Sequence, residues 1–461
     1  MHAAAKLRLV QPSEPDREWQ AAAHEAVDQL IREIEDETMG MQLDELSDLL
    51  RKKGQRVTGA VLSGVLKSRI ADGNLETLPC PSCNKTLKSR GQRKRTIITR
   101  HGGIEIERPY FYCTDCRRGI YPTDEDLGIV SHSPTQLDIE KAAAKLLQRL
   151  PYEEASEVFE DLTGTPLSDH AMHGLADRLG EATAISDVLP SKQAVEAAIA
   201  EGGKGKIWRP IVVVAADGAD VPLRPMAGKR AGKRGNGYWK EAKGFRIYMI
   251  CQDRIVQLMS WHQIANEEEF GHAIRFASTL IPRKTVRVAL LGDGAPWIWK
   301  HLKAAFPGGK QILDYYHCSE HIHKVASLQY ARDEDQQALW IESTMARLFY
   351  GNVGAVMWGL ERMNPSGPEA AIEIRNLITY LGNNEDRIDY RRAKRGQYPL
   401  GSGGIESANK FICHKRMKLS GAWWYEINGN AMLRLRCAVY NGTFDQVFAK
   451  YKQSRISGEN A

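Results

Sequence analysis

The sequence predicts an α/β core that follows an N-terminal helical region and two small domains. Three observations point to this class. Four cysteines form two close pairs, within a segment that alternates polar and apolar residues. Three successive helix patterns occupy residues 135–180. From residue 207 onward, short apolar runs typical of buried strands alternate with helical patterns, as they do in an α/β sheet.

Length and composition exclude several classes of protein. The chain has 461 residues, of which 43% are hydrophobic and 26% charged, as in a folded soluble protein of several domains. The longest apolar run, at 211–216, is too short to span a bilayer, and no signal region begins the chain. We therefore expect a cytoplasmic protein with no membrane partner. The net charge is +6, and Lys and Arg cluster at 90–95, 228–235 and 391–395, which suits an anionic polymer.

The N-terminal region, residues 1–75, is predicted to be helical. Apolar side chains recur at helical spacing between residues 16 and 70, and acidic residues crowd positions 32–48. Because such an acidic surface repels a polyanion, we expect a lead-in or an oligomerisation arm here and not a DNA-reading element.

Residues 76–130 are predicted to form a zinc ribbon. Two residues separate Cys80 from Cys83 and also Cys113 from Cys116, and each pair lies beside residues that favour turns. The segments RTIITR and IEIERPYFY between the pairs have the alternation of a strand hairpin. Four thiolates from two such pairs make the tetrahedral set that one structural Zn²⁺ prefers. The nearby basic residues expected to contact the DNA backbone are Arg93, Lys94, Arg95, Arg117 and Arg118.

Residues 131–182 are predicted to form a helix-turn-helix domain. A turn at 164–167 joins the second helix to a third that has Ser168 as its N-cap and stops at Gly180. An ordinary three-helix packing unit would give the same pattern, so both interpretations stay open. If the third helix enters a DNA groove, the residues facing the groove are Asp169, His170, His173 and Arg178.

A linker over 183–205 is predicted to lead into the core, which comprises residues 206–317 and 399–461 with a helical insertion at 318–398 between them. The core begins with three strands in hairpin succession. A crossover helix, a fourth strand and a late helix follow. This succession is that of the ribonuclease H-like fold.

The ribonuclease H-like fold carries acidic residues at the end of its first strand, at the end of its fourth strand and on a late helix. Asp217, Asp293 and Glu406 occupy these three places. Singly, each has an ordinary explanation, since Asp-Gly forms turns and Glu favours a first helical turn. Together, three converging carboxylates repel one another unless divalent cations neutralise them. Two Mg²⁺ or Mn²⁺ ions per site would serve, although Asp220 competes with Asp217 as the first ligand.

Four blocks of the sequence resemble the motifs of bacterial ISKra-type insertion-sequence transposases, which are relatives of the Mutator-like DDE group. The blocks are AADGADVPL, LLGDGAPWIW, ILDYYHCSEHIHK and GSGGIESANKFICHKRMKLSGAWW. The likeness covers most of the chain, and its last block is the most specific. It implies a DDE transposase with Asp217, Asp293 and Glu406 as catalytic Mg²⁺ ligands.

Groups related to these transposases carry a C/D-x2-H motif after the second aspartate. Asp314 and His317 fit this motif, and Cys318 and His321 fit it equally well in spacing. We favour Asp314 and His317 because Asp314 stands at a strand end. A second zinc site at this histidine-rich stretch is disfavoured, since its side chains lie on more than one helix face.

The late helix adds basic and aromatic residues to this prediction. A pair of adjacent tryptophans, Trp423 and Trp424, is expected either to stack on a base or to place at least one ring in the core. The basic residues expected to follow DNA along this helix are Lys410, Lys415, Arg416 and Lys418.

The expected function is Mg²⁺-dependent cleavage at terminal inverted repeats, followed by transfer of the freed 3′-hydroxyl to target DNA. We expect a bacterial protein that is nucleoid-associated when bound to DNA, and a homodimer or larger assembly, because two ends must be paired. Two alternatives stay open at this point. One is a ribonuclease H-like nuclease that cuts without joining, and the other is an inactive DNA-binding regulator derived from a transposase.

Overall fold

The computed structural model describes residues 17–38, 40–71, 76–130, 133–205, 207–225, 237–251 and 254–457. The basic stretch 228–235 therefore lies outside the described residues. The chain forms two compact units. The first comprises Met1–Ala176 and Phe448–Ala461, and the second comprises Asp177–Val447. None of the helices in the described ranges is long and apolar enough to cross a membrane.

The first unit combines helices with a small antiparallel sheet. Its first two helices, α1 (Arg17–Glu37) and α2 (Leu43–Ala71), lie in the region predicted to be helical. The sheet has the order β1-β2-β3-β4, and the long β2–β3 hairpin brings the two cysteine pairs to the same end. Its strands are Thr77–Pro79, Thr86–Thr99, Gly102–Cys113 and Arg118–Ile120. Alternation buries Ile97, Ile104 and Ile106 against α2.

The three helices expected over 135–180 are present. After the short α3 (Pro122–Leu127), they are α4 (Leu137–Leu147), α5 (Tyr152–Thr163) and α6 (Asp169–Glu181). Ser168 caps α6, because its Oγ accepts a hydrogen bond of 3.2 Å from the backbone N–H of Ala171. The division between the two units falls within the sequence of α6, between Ala176 and Asp177. Residues 131–182 are therefore not a separate compact domain.

The predicted linker at 183–205 instead contains two helices of the second unit, α7 (Ile185–Val188) and α8 (Lys192–Gly202). The carbonyl of Val188 accepts hydrogen bonds from Asn441 Nδ2 at 3.0 Å and Thr443 Oγ1 at 2.7 Å. Apolar residues at helical spacing give α8 a buried face, which is why this segment packs and is not a loose joint.

A five-stranded mixed sheet organises the second unit, in the order β7-β6-β5-β8-β9. Strands β5, β6 and β7 are antiparallel neighbours, whereas β8 runs parallel to β5 and β9 runs parallel to β8. Helices α9 and α10 connect β7 to β8 and β8 to β9. In chain order the elements are Ile211–Leu223, Tyr238–Cys251, Arg254–Ile264, Glu267–Thr279, Arg287–Gly292, Pro296–Ala305 and Lys310–Leu313.

The prediction that the first strand ends at Asp217 is wrong. Strand β5 continues to Leu223 and pairs with β6 along its whole length. Its parallel pairing with β8 stops earlier, at Ala215 and Leu291. Asp217 therefore lies just beyond the parallel part of the sheet, where β5 loses one neighbour but keeps the other. The long partner strand β6 sustains β5 past the aspartate.

The chain after β9 is helical in its described part. The segment predicted as an insertion, 318–398, contains most of α11 and all of α12 to α15, whose bounds are Tyr315–Gln329, Glu334–Phe349, Val353–Glu361, Pro368–Asn384 and Tyr390–Arg395. The last elements are α16 (Gly403–Asn409), a π-helical turn (Lys410–His414), α17 (Lys415–Met417), α18 (Glu426–Tyr440) and α19 (Phe444–Ser457).

The C-terminal boundary also differs from the prediction, because residues from Phe448 onward belong to the first unit and not to the core. Within the first unit, Tyr451 donates a hydrogen bond of 3.0 Å to the carboxylate of Glu140 on α4.

Candidate functional site

The three acidic residues predicted as site residues border one cavity of the second unit. Asp217 on β5, Asp293 directly after β8 and Glu406 on α16 line a space of about 260 Å³. The parallel pairing of β5 with β8 brings the two aspartates to the same edge of the sheet. The other lining residues are Ala216, Asp314, Tyr316, His317, Glu320 and Ser402. Residues far apart in the sequence therefore form one acidic site.

The electrostatics of Asp217 show that negative charge is concentrated in this cavity. Burial, together with the neighbouring charges of Asp293 and Glu406, raises the pKa of the Asp217 carboxyl to about 6. A hydrogen bond of 2.8 Å from the backbone N–H of Gly218 opposes this rise. A divalent cation relieves repulsion of this kind, and carboxylate oxygens are its preferred ligands. The donor set therefore fits Mg²⁺ or Mn²⁺.

Asp293 and Glu406 each keep an oxygen available. Asp293 Oδ1 accepts from the backbone N–H of Ala295 at 2.9 Å, and Glu406 Oε1 accepts from the hydroxyl of Ser402 at 3.1 Å. Among the described residues, no hydrogen bond occupies Asp293 Oδ2 or Glu406 Oε2. The three carboxylates line the cavity but are not gathered around one point, as the sulfur atoms of Cys80, Cys83, Cys113 and Cys116 are. They line one cavity with these two oxygens available.

The helical insertion reaches this site through Tyr380 on α14. Its hydroxyl donates a hydrogen bond of 3.0 Å to the backbone carbonyl of Asp293, and its ring lies 4.3 Å from the ring of His321. The insertion therefore supports the loop that carries Asp293. Sequence patterns did not indicate this contact.

A buried hydrogen-bond chain supports Asp217 from behind. Asn409 Nδ2 donates to Asp217 Oδ2 at 2.7 Å, and Asn409 Oδ1 lies 2.8 Å from His262 Nε2. Because the amide N–H₂ faces the carboxylate, the amide oxygen faces the imidazole, whose Nε2 must then donate. His262 on β7 is fully buried, and burial lowers its pKa to about 4, so the ring is neutral.

Strand β6 makes room for this chain with Gly244, which stands opposite His262 in the sheet register. A Cβ atom at residue 244 would lie 2.1 Å from the imidazole ring. The sequence indicated this hydrogen-bond chain only through Asn409, which lies on the same helical face as Glu406. A lone histidine in an apolar strand gave no comparable signal.

We expect Asn409→Leu to weaken Mg²⁺ binding by about 10- to 100-fold, the usual range for loss of a group that supports a metal ligand. The change removes the donor that favours ionised Asp217 and so raises the pKa of that carboxyl further. Titration of activity against Mg²⁺ measures the effect, and excess Mg²⁺ should restore the rate. The matched control is Asn430→Leu, which breaks the bonds of Asn430 to the backbone of Ile264 on β7 without touching Asp217. Equal Mg²⁺ requirements in the two variants would contradict this role.

Asp314 has a structural part in the site. It is buried, and its Oδ1 accepts from the backbone N–H groups of Tyr316 at 2.7 Å and His317 at 3.1 Å. Its Oδ2 accepts from the N–H of Ser402 at 2.8 Å. Asp314 thus caps α11 and ties it to the loop before α16, and both Asp314 and His317 line the cavity.

The alternative pair, Cys318 and His321, differs in its surroundings. Cys318 is fully buried, and burial raises the pKa of its thiol to about 11. It does not line the cavity. The geometry therefore favours Asp314 and His317, although Asp314 acts through the helix start and not as an exposed ligand.

The competing first ligand, Asp220, does not line the cavity and is exposed. It lies three positions after Asp217 on the same strand, so alternation sends the two side chains to opposite faces. In the register it stands opposite Glu241. The geometry favours Asp217.

The four cysteines of the first unit form the second candidate site. Their sulfur atoms all lie within 4.8 Å of one another. Cys80 and Cys116 Sγ are 3.9 Å apart, and Cys83 and Cys113 Sγ are 3.6 Å apart. Zn–S bonds of about 2.3 Å in a tetrahedron require S–S separations of about 3.8 Å. The four thiols therefore fit one zinc ion.

Both cysteine pairs sit in the same kind of tight turn. The residue after the second cysteine of each pair, Asn84 or Arg117, is left-handed, with φ of 59° and 51°. The turn aims backbone N–H groups at the sulfur of the first cysteine. Hydrogen bonds from Cys83 and Ser82 lower the pKa of Cys80 to about 6, which favours the thiolate that binds metal.

The basic residues predicted beside the ribbon differ in their exposure. Arg93 and Lys94 are exposed on β2, where Lys94 pairs with Glu105 at 3.2 Å. Arg95 points inward, since its Nη2 donates to the carbonyl of Val130 at 2.9 Å. Its side chain is only 16% exposed and is bound to the backbone of the first unit, so it is not available to contact DNA. Arg93 lies on the same face of β2 as Arg95, so alternation does not separate these two residues.

On α6, His170 is exposed, whereas His173 and Arg178 are half-buried. The ring of His173 lies 5.2 Å from that of Tyr152 on α5, in an edge-on contact. Part of the face predicted to enter a groove therefore packs between helices, as in an ordinary three-helix unit. His170 is the most accessible of the three.

Of the basic residues after Glu406, Lys410 and Lys415 are exposed and Lys418 is half-buried. The prediction that Arg416 follows DNA is wrong. Its side chain is 3% exposed, and its guanidinium lies 4.9 Å from the ring centre of Trp424. Buried in this way, it is not available to DNA. The π-helical turn, which widens the helix, changes which residues face outward.

The two tryptophans have different environments. Trp424 is buried and donates from Nε1 to the carbonyl of Met417 at 3.1 Å. Trp423 is 42% exposed and lies 6.2 Å from Trp239, which is 57% exposed. One ring is therefore in the core, and the other belongs to an exposed aromatic pair.

No family model matches the chain, and no curated protein matches it. Among solved structures, it is similar to the Drosophila P element transposase strand transfer complex, with 11% sequence identity and a TM-score of 0.21. The match covers 73% of this chain and 85% of the other. A TM-score this low does not establish a common fold.

Proposed function

We propose that the protein is a DDE transposase of an insertion sequence, with a ribonuclease H-like core. The observation that carries this proposal is the meeting of Asp217, Asp293 and Glu406 around one cavity at the edge of a mixed sheet. Support comes also from the sheet order, in which three antiparallel strands adjoin two parallel ones and a late helix supplies the third carboxylate. The motif blocks that resemble ISKra-type transposases include all three acidic residues.

The same three carboxylates would hold the Mg²⁺ or Mn²⁺ ions that the resemblance implies. When bound, such ions neutralise the charge of a scissile phosphate and make a water or hydroxyl a better nucleophile. Asn409 donates a hydrogen bond to Asp217, which favours the ionised form of that carboxylate and orients it. His317, at the cavity wall, would contact a phosphate oxygen of the DNA.

Two displacements at phosphorus make up the proposed reaction. Water first attacks the phosphorus at the element end, so the bond between phosphorus and the 3′-oxygen breaks and leaves a 3′-hydroxyl and a 5′-phosphate. That 3′-hydroxyl then attacks a phosphorus of target DNA, which forms a new phosphodiester and releases a target 3′-hydroxyl. Each nucleophile gives its proton to solvent. Both steps occur at phosphorus, so one site serves both without a covalent enzyme intermediate.

Mg²⁺-dependent strand transfer tests the proposal. Purified protein, a duplex carrying the inverted repeat that flanks the coding sequence, and a target plasmid are incubated with and without Mg²⁺. Joined products support a transposase. Cleavage without joining would favour the nuclease, and binding without cleavage would favour the DNA-binding regulator. We further propose a homodimer or larger assembly on DNA, for which light scattering of the complex with repeat DNA is the measurement.

The pKa of Asp217 makes Mg²⁺ binding dependent on pH. Because burial and like charges raise that pKa to about 6, Asp217 is ionised at pH 7.5 and protonated at pH 5. At low pH the cation must displace a proton. We therefore expect Mg²⁺ to raise the melting temperature at pH 7.5 and to have little effect at pH 5. Thermal denaturation with and without 10 mM Mg²⁺ measures this, and an equal rise at both values would contradict it.

A further inference from the structure

A cluster of cationic side chains lies at the amino ends of the parallel strands, at the edge of the sheet opposite the carboxylates. Two neighbouring cavities of about 320 and 820 Å³ share Arg209, Arg287 and Tyr398 as lining residues. We call this region the amino-edge pocket and define it by its cations, Arg209, Arg283, Arg287, Lys310 and Lys394. Among the described residues that line it, none is acidic.

The sheet register fixes the location of the amino-edge pocket. Arg287 at the start of β8 pairs with Ile211 at the start of β5, and Lys310 begins β9. Asp217 lies six positions further along β5, which corresponds to about 20 Å at 3.3 Å per residue. The pocket is therefore separate from the acidic cavity, which shares none of its lining residues.

The arginines of the amino-edge pocket are held by neutral groups. Arg287 donates from Nε to the carbonyl of Arg209 at 3.1 Å and from Nη1 to the carbonyl of Gly396 at 3.0 Å. Arg209 Nη1 donates to the carbonyl of Lys284 at 3.3 Å, and Arg283 Nη2 to the hydroxyl of Ser278 at 3.1 Å. In the described part of the chain, no carboxylate pairs with any of the five cations. The three arginines are therefore held in position, and none of the five charges is compensated by a carboxylate in that part of the chain, as a site for an anion requires.

The surroundings of the pocket favour a polymer over a small anion. Helix α15 contains the basic run 391–395, in which Lys394 lines the pocket and Arg391 and Arg392 are exposed. Trp208, 72% exposed, borders the same pocket. A row of cations that extends beyond a single cavity suits a chain of phosphates. This basic run was noted in the sequence and has no part in the acidic site.

We propose that the amino-edge pocket binds the sugar–phosphate backbone of duplex DNA, at a segment other than the one at the carboxylates. The identification of the polyanion as DNA rests on the proposed function, whereas the anion site rests on the geometry alone. Arginine forks suit phosphate oxygens, and backbone contacts of this kind carry no sequence information.

The test compares two double variants that remove the same formal charge. Lys310→Gln/Lys394→Gln removes two uncompensated cations of the pocket. Lys204→Gln/Lys300→Gln removes two lysines of the same unit that are paired with Glu201 and with Glu267 and Glu268. Affinity for a 30-bp duplex of arbitrary sequence is measured by fluorescence anisotropy without divalent cations, over a range of salt concentrations. Melting temperatures check that both variants fold.

We expect the pocket variant to bind about tenfold more weakly or worse and to have a salt dependence shallower by about 2 in log–log slope, since each phosphate contact contributes about 0.9. The control should match wild type. Equal losses in both variants, or none in the pocket variant, would overturn the proposal. Loss of inorganic phosphate binding with unchanged DNA binding would make the pocket a small-anion site and would also overturn it. A protein that shows no Mg²⁺-dependent cleavage but keeps this pocket-dependent binding would refute the proposed function alone.

Discussion

Asp293→Asn and Glu406→Gln are each expected to lower Mg²⁺-dependent cleavage and strand transfer by at least about 10³-fold, with DNA binding unchanged. Both residues border the acidic cavity beside Asp217, and each keeps an oxygen available for a cation. A carboxamide of the same shape leaves the fold intact but removes the charge that binds the cation. A loss of 10³ corresponds to about 4 kcal/mol of transition-state stabilisation, which a metal-assisted step can supply.

The control for these variants is Asp220→Asn, which removes an aspartate from the same sheet at an exposed position outside the cavity. Its activity should be within about twofold of wild type, since surface substitutions of this kind change little. Single-turnover cleavage of terminal-repeat DNA, with binding measured separately in Ca²⁺, distinguishes catalysis from binding. If the Asp293 and Glu406 variants retain wild-type rates, other carboxylates perform the reaction.

The second large effect is expected at the ribbon, where Cys83→Ser or Cys113→Ser should remove zinc and unfold the sheet of the first unit. Zinc binding to structural four-ligand sites contributes about 10–16 kcal/mol at neutral pH, which is comparable to or larger than the whole stability of a domain. The short strands β1 and β4, each of three residues, leave the two turns with little other support. Wild type should contain one zinc per chain.

Metal analysis and hydrogen exchange of the first unit's sheet measure this effect. Cys251→Ser is the matched control, because Cys251 lies in the second unit, where its thiol donates to the backbone carbonyl of Gly202 at 3.1 Å. That variant should keep its zinc. A wild-type content well below one zinc per chain, or full protection of the sheet after chelation, would exclude a structural metal.

Patterns that are local in the sequence determined much of this structure. Two cysteines separated by two residues, beside residues that favour turns, can bind one ion from a tight turn, so the metal-binding pairs followed from local sequence. The helix pattern that begins after Ser168 carries its own N-cap. Asp293 could be assigned to a strand end because a glycine follows a short apolar run directly. In each of these, the residues that decide the structure are neighbours in the chain.

Only the tertiary structure decided which of the predicted site side chains are exposed for binding and which contacts fix their positions. Arg416 matched a basic path in the sequence but is buried against Trp424, and Asp314 matched a motif but caps a helix. The support of Asp217 by Asn409 and His262 joins three elements that are distant in sequence. Periodicity indicates that a face is buried, but it does not specify the atoms on the other side. Those atoms come from distant segments, so hydrogen bonding, pKa and exposure at the site depend on how the whole second unit packs.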